Sequence, residues 1–241
     1  MTEPELVQHE NAEALADDVA ERLLIVLADA QSAGRTPHVA LTGGSIADAI
    51  HAAIARVSAY SRVDWRNVAL WWGDERFVGP DDPARNTRQA RRAMLDTLDL
   101  DPSNVHEMPS TATAANPDEG AAAYADELRA HGSGQFDVVL LGLGPDGHVA
   151  SLFPGAPQLD VDDRIAVGVT DSPKPPPERI SLTYPALNRT REVWFVVAGE
   201  EKAEAVARAT RGVDHHDLPA AGVHGQERTI WFVDDAAASR L

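Results

Sequence analysis

The chain has 241 residues, 44% of them hydrophobic and 24% charged, an ordinary globular composition with enough length for a substantial core. A formal net charge of -17 argues against nucleic acid and anionic lipid as partners. The absence of cysteine excludes disulfides and thiolate metal sites and fits a reducing, cytoplasmic setting.

The opening stretch, MTEPELVQHENAEALADD, is acidic and lacks the apolar run of a signal peptide, and no window is long and apolar enough to span a membrane. Residues 11–33 predict an amphipathic helix, since Val19, Leu23, Leu24 and Leu27 recur at helical spacing and Gly34 can stop it. His38 to Leu41 predicts a short strand that runs into Thr42-Gly43-Gly44-Ser45 and a helix from Ile46 to about Ser58. A second strand is expected over Asn67 to Trp72, then the polar loop GDERFVGPDDPARN, then a helix from Thr87 to about Leu98. An extended VHEMPS follows, and a helix from about Asp118 to His131.

Phe136 to Leu141 (FDVVLL) reads as a buried strand that ends in the turn Gly142-Leu143-Gly144-Pro145-Asp146-Gly147-His148. Further strands are expected over Arg164 to Val169, Arg179 to Thr183, Glu192 to Ala198 and Thr229 to Val233, with a helix from Glu200 to about Thr210 and a proline-rich surface loop, DSPKPPPE, before Arg179. Strands alternating with helices point to an α/β fold with a mainly parallel sheet and helices on both faces, formed by residues 1–241 as a single domain.

Four places could carry chemistry. Thr42-Gly43-Gly44-Ser45 follows a strand and opens a helix, so bare N–H groups and the positive end of the helix face one point, where hydroxyls can also donate. It lacks the Lys of a Walker A loop and is not G-x-G-x-x-G; the plain alternative is a tight turn with a capped helix. Asp74, Glu75 and Arg76 also follow a strand, with Arg88 at the start of the next helix, and arginine suits phosphate or carboxylate; standing alone, the trio reads better as a surface salt-bridge cluster. The turn with Asp146 and His148 combines a carboxylate, an imidazole and glycines that let a ligand approach the backbone, the material of acid–base catalysis. Arg179 and Lys202 lie late in the chain, where ordinary surface charge is the bland reading. His215 and His216, between Asp214 and Asp217, lack a familiar metal-ligand spacing and read as a solvated loop, and Trp71, Trp72, Trp194 and Trp231 read as core.

Taken together, the blocks LTGGS, WWGDERFVGPDDPARN, FDVVLLGLGPDGHVASLFPG, RISLTYPALN and VWFVVAGEEKAEAV resemble the glucosamine-6-phosphate isomerase/6-phosphogluconolactonase family, and its 6-phosphogluconolactonase branch in particular, from Thr42 to about Val206. The resemblance implies a three-layer sandwich with a modified Rossmann-like sheet, and hydrolysis of 6-phospho-D-glucono-1,5-lactone to 6-phosphogluconate in the oxidative pentose phosphate pathway. It implies His148 as general base, with Asp146 or Asp74 orienting it or binding sugar hydroxyls. It gives Arg76, or N–H groups near residues 142–147, the developing oxyanion, and Gly43, Gly44, Ser45, Arg88, Arg179 and Lys202 the phosphate, with Thr42, Gly144 and Gly147 as further binding positions. The partner implied is a small sugar-phosphate lactone, bound by a monomer or weak homo-oligomer. No cofactor or metal is called for, because a lactone is already an activated ester. The family often has Ser before the Asn of the second block; Arg85 stands here before Asn86, so it either brings a cation to the phosphate or points outward, and it is not counted in the site.

The rival within the family is a deaminase of the glucosamine-6-phosphate type. Such enzymes carry Asp-Glu-Tyr in place of Asp74-Glu75-Arg76, and Asn-Glu-Pro in place of Leu152-Phe153-Pro154. A sugar-phosphate sensor without turnover is the non-enzymatic alternative. A dinucleotide-binding domain is disfavoured by the missing glycine fingerprint and by the lack of an acid ending the second strand.

Overall fold

The computed structural model describes residues 3–241. In chain order its elements are β1 (Glu5–His9), α1 (Ala12–Ser32), β2 (His38–Leu41), α2 (Ser45–Ser58), β3 (Ala69–Trp72), β4 (Asp74–Arg76), α3 (Asn86–Ala93), α4 (Pro117–His131), β5 (Phe136–Leu141), β6 (Ala166–Val169), β7 (Arg179–Leu182), α5 (Tyr184–Leu187), β8 (Thr190–Val197), α6 (Ala203–Ala209) and β9 (Arg228–Asp234). Six strands form one parallel sheet in the order β1-β9-β8-β5-β2-β3, and β4, β7 and β6 form a separate antiparallel sheet. Helices α1 and α2 pack on each other and reach β9 and β8, while α4 lies on β6 and β7. Among the described residues, no helix is long and apolar enough to cross a membrane.

Every residue of β2 and β5 is buried, as expected of inner strands in a parallel sheet covered on both faces, and every residue of the outer strand β3 is buried as well. Trp71, Trp72, Trp194, Phe195 and Phe232 anchor one contiguous apolar core. The helix starts follow local chemistry. Asn11 accepts from Ala14 N at 2.9 Å to cap α1, and Asn116 accepts from Glu119 N at 2.9 Å with Pro117 at the first helical position of α4.

The structure departs from the sequence expectation at four places. The acidic opening stretch contains β1, an edge strand that pairs with β9 at the far end of the chain. The loop after β3 begins as strand β4, so the chain leaves the large sheet at Gly73 and enters the small one. The expected helix from Thr87 to Leu98 stops at Ala93, where Met94 turns inward and the Thr97 hydroxyl donates to Met94 O at 2.7 Å, which favours a tighter turn over another helical one. The helix expected from Glu200 divides into a 3₁₀ turn, Glu200–Lys202, and α6.

Strand β3 is an edge whose outward backbone groups need partners. The buried Tyr124 hydroxyl supplies them for Trp72, accepting from its N at 2.9 Å and donating to its O at 3.1 Å. Tyr124→Phe strands both groups and should cost about 1–3 kcal/mol in a urea denaturation experiment. An unchanged midpoint would mean that water replaces the hydroxyl.

Candidate active site

Strands β2 and β5 are neighbours, yet the chain winds from β2 toward β3 on one side and from β5 toward β8 on the other. The crevice outside the carboxyl ends of two such strands is where open α/β sheets bind ligands. The loop Thr42–Ser45 and the turn from Gly142 to His148 leave those two ends side by side, and Gly142 N donates to Thr42 Oγ1 at 3.4 Å.

No side chain caps the N-terminus of α2, whose N-cap, Gly44, has φ 101°, a conformation natural to glycine. The first-turn N–H groups beside the exposed Ser45 are therefore placed to receive an anion. Gly44 N itself donates to Gln89 Oε1 at 3.3 Å. Gly43 has no room for a side chain, because a Cβ there would fall on the carboxamide of Asn86.

In the second turn, His148 Nδ1 lies 2.5 Å from Asp146 Oδ1. An ionised Asp146 makes Nδ1 the protonated nitrogen and leaves the lone pair on Nε2. Partial burial alone would push the Asp146 carboxyl up, but the hydrogen bond and charge of His148, helped by Lys174, outweigh it and hold it at about 2. The His148 ring stands 4.6 Å from Phe153, whose other neighbour is the Arg179 guanidinium at 5.9 Å. A Cβ on Gly144 would collide with both His148 and Asp146, so glycine is required for the pair to close.

The Asp-Glu-Arg trio is not a surface cluster. Asp74 and Glu75 are buried. Asp74 accepts from Ser151 Oγ at 2.6 Å and from Asn86 Nδ2 at 3.2 Å, so it secures two loops and does not touch His148. Arg76 donates from Nη1 to Asn86 Oδ1. Arg85 neither points outward nor reaches toward a phosphate; it is buried, 3.7 Å from Glu75 Oε2, and donates to Met108 O at 2.7 Å. Arg179 is buried too, beside Asp74, Arg76 and Glu75, and its guanidinium donates to Pro176 O at 3.2 Å and Lys174 O at 3.0 Å, fixing the proline-rich loop against the site. Burial lowers the Lys202 ammonium from its ordinary value, with Glu201, Lys174 and Asp146 its charged neighbours.

The residues selected by sequence thus gather in two linked groups. Gly43, Asp74 and Arg76 stand around Asn86, with Arg179 beside Asp74 and Arg76, whereas Asp146 and Lys202 stand near Lys174, with His148 on Asp146, and Phe153 joins the two. Arg88 is exposed on α3, and among the described residues no hydrogen bond or ion pair ties it to either group. The glycine N–H groups expected to hold an oxyanion are engaged within the turn: Gly144 N donates to His148 O and Gly147 N to Gly144 O, each at 2.9 Å. Asn86, Ser151, Phe153 and Lys174 were not selected, although Asn86 closes the polar block and Lys174 is the one cation in DSPKPPPE. Asp214, His215 and His216 are near enough together to bind a metal ion, but they lie in an exposed loop where His216 bonds Asp214 and Asp160.

The family model for glucosamine-6-phosphate isomerases/6-phosphogluconolactonase matches residues 10–231. A 6-phosphogluconolactonase of Streptomyces coelicolor is 46% identical, covering 99% of this chain and 95% of that protein. One from Mycobacterium leprae is 42% identical over 96% of each. The crystal structure of 6-phosphogluconolactonase from Thermotoga maritima superposes with a TM-score of 0.85 at 26% identity, covering 96% of this chain and 100% of that one.

Proposed function

The chain belongs to the glucosamine-6-phosphate isomerase/6-phosphogluconolactonase family, and on that premise we propose that it is a lactone hydrolase that opens 6-phospho-D-glucono-1,5-lactone to 6-phospho-D-gluconate in the oxidative pentose phosphate pathway. The observation that carries this reading is the Asp146–His148 pair at the carboxyl edge of β5, with an uncapped helix terminus at the neighbouring edge of β2.

Asp146 holds the imidazole by Nδ1, so Nε2 takes a proton from water as the water oxygen attacks the lactone carbonyl. Negative charge develops on the carbonyl oxygen, and Arg76, which uses Nη1 for Asn86, keeps further N–H groups for it. As the bond from the carbonyl carbon to the ring oxygen breaks, the Nε2 proton passes to that oxygen and neutral histidine returns. On this reading the first turn of α2 receives the phosphate, and Arg179 beside Arg76 and Lys202 beside Asp146 are the cations assigned to it. No metal is needed to activate an ester already strained in a lactone ring.

The deaminase reading fits less well. Arg76 occupies the place of that branch's tyrosine, and the apolar ring of Phe153 beside His148 stands where the branch carries an acid. The deciding measurement is proton release from freshly generated lactone against the spontaneous rate. An enzyme rate well above background supports hydrolysis. Tight binding of 6-phosphogluconate with no rate above background would instead establish a sensor.

A further inference from the structure

Glu75 stands at the junction of three parts of the site, with its carboxyl wholly buried. Its Oε1 accepts from Arg76 N at 2.8 Å and from Asn86 N at 2.7 Å, and its Oε2 accepts from Thr87 N and Thr87 Oγ1, both at 2.9 Å. One carboxylate therefore fixes the end of β4 and the first turn of α3 together. The consequence reaches the ligand side through Asn86, whose carboxamide accepts from Arg76 Nη1, donates to Asp74 O at 2.8 Å, and lies where a Gly43 side chain would be. If Asn86 moved, Arg76 would lose its partner and the glycine loop its wall.

Three of the four contacts to Glu75 are backbone N–H donors and the fourth is the Thr87 hydroxyl, which can donate as well, so the ionised carboxylate with its free lone pairs is the form that suits them best. A buried carboxylate stays charged only when paired. The Arg85 guanidinium, 3.7 Å away and itself buried, is its nearest ionic partner. We propose that Arg85 and Glu75 act as a positioning pair for the sugar-phosphate site, the arginine keeping the glutamate ionised so that Arg76, Asn86 and the Gly43 loop stay in binding geometry. The inference rests on the proposed substrate class and adds the residues that hold its binding side in place. It also gives a role to the arginine that stands where the family often has serine.

The electrostatic setting agrees. Burial pushes the Glu75 carboxyl up, and Arg85 with the N–H groups of Thr87, Asn86 and Arg76 pulls against it. Arg179 on β7 and Tyr124 on α4 also face Glu75, besides Asp74 and Arg76 on its own strand. Of these, only Arg76 bonds its oxygens, and it does so through its backbone N–H, so Arg85 supplies the nearest side-chain charge. Removing the Arg85 charge takes away the largest of the opposing effects, so the carboxyl rises and is ionised only at higher pH.

The test is calorimetric binding of 6-phosphogluconate from pH 7 to pH 9 by the wild-type protein and by Arg85→Met, Arg85→Lys and Glu75→Gln. Dividing each variant's Kd by the wild-type Kd at the same pH cancels titration of the phosphate. Arg85→Met should bind about tenfold more weakly at pH 7 and recover toward wild type at pH 9. Arg85→Lys should restore binding at pH 7. Glu75→Gln should bind weakly at every pH, and it carries the test alone if Arg85→Met does not fold. Wild-type affinity in Glu75→Gln, or an Arg85→Met deficit that is the same at every pH, would overturn the proposal. A wild-type protein that neither binds 6-phosphogluconate nor hydrolyses the lactone would sink the substrate reading itself, which distinguishes that failure from this one.

Discussion

Replacing His148 with alanine should lower the lactone hydrolysis rate, after subtraction of the spontaneous background, by about 10²–10⁴-fold, the usual contribution of a positioned general base. The side chain is 14% exposed and, among the described residues, hydrogen-bonds Asp146 alone, so thermal stability should stay near wild type, and 6-phosphogluconate should still bind through the helix terminus and cations across the crevice. Asp146→Asn should fall between the two. Its carbonyl can still accept from Nδ1–H, but it no longer supplies the charge that stabilises the imidazolium formed during attack. A His148→Ala protein with an undiminished rate would remove the histidine from the chemistry while leaving the family assignment in place.

The second large effect concerns stability in acid. His51 lies on α2 with its ring wholly buried and neither ring nitrogen hydrogen-bonded, and burial lowers it from its ordinary 6.5 to about 4. Because the folded-state value lies below the unfolded one, the ring costs nothing through protonation above pH 6.5, and stability is lost as pH falls from there toward 4. The gap corresponds to about 3 kcal/mol at full development, a large part of a domain's margin. His51→Leu should flatten that acid slope and also raise stability at neutral pH by about 1 kcal/mol, since two buried unpaired nitrogens disappear. Urea midpoints at pH 7 and pH 4.5 measure both effects. An acid slope that is the same in the variant would place the acid lability elsewhere, His38 being the next candidate because burial lowers it too.

Much of the site was legible because its parts are local. The run FDVVLL has no reading except a buried strand, and the glycines that follow force a turn at its end, so Asp146 and His148 could be placed at a sheet edge before their geometry was known. Two glycines between β2 and α2 advertised the helix terminus in the same way. Long-range partners decided the remainder. Asp-Glu-Arg resembles surface charge until β7 pairs with it and α3 folds over it, and nothing near Arg85 in sequence says that its partner lies ten residues back inside the core. Glu5–His9 is too short and too largely exposed to declare itself, and only β9, more than two hundred residues later, makes it a strand. Arg179 looked like surface charge because its acceptors, the carbonyls of Lys174 and Pro176, belong to a loop whose path the sequence does not set.

The two loops proposed to bear the chemistry spring from β2 and β5, which lie inside the sheet with every residue buried. Amide protons on those strands can exchange with solvent only when most of the molecule opens, whereas β1, an outer strand with its side chains largely in water, can detach at far smaller cost. A molecule that has lost its first strand to fraying or to a protease would therefore still hold the imidazole and the helix terminus face to face. Loosening at that rim should therefore leave the two loops in register, whereas loosening at the other rim, where β3 runs straight into β4, should not.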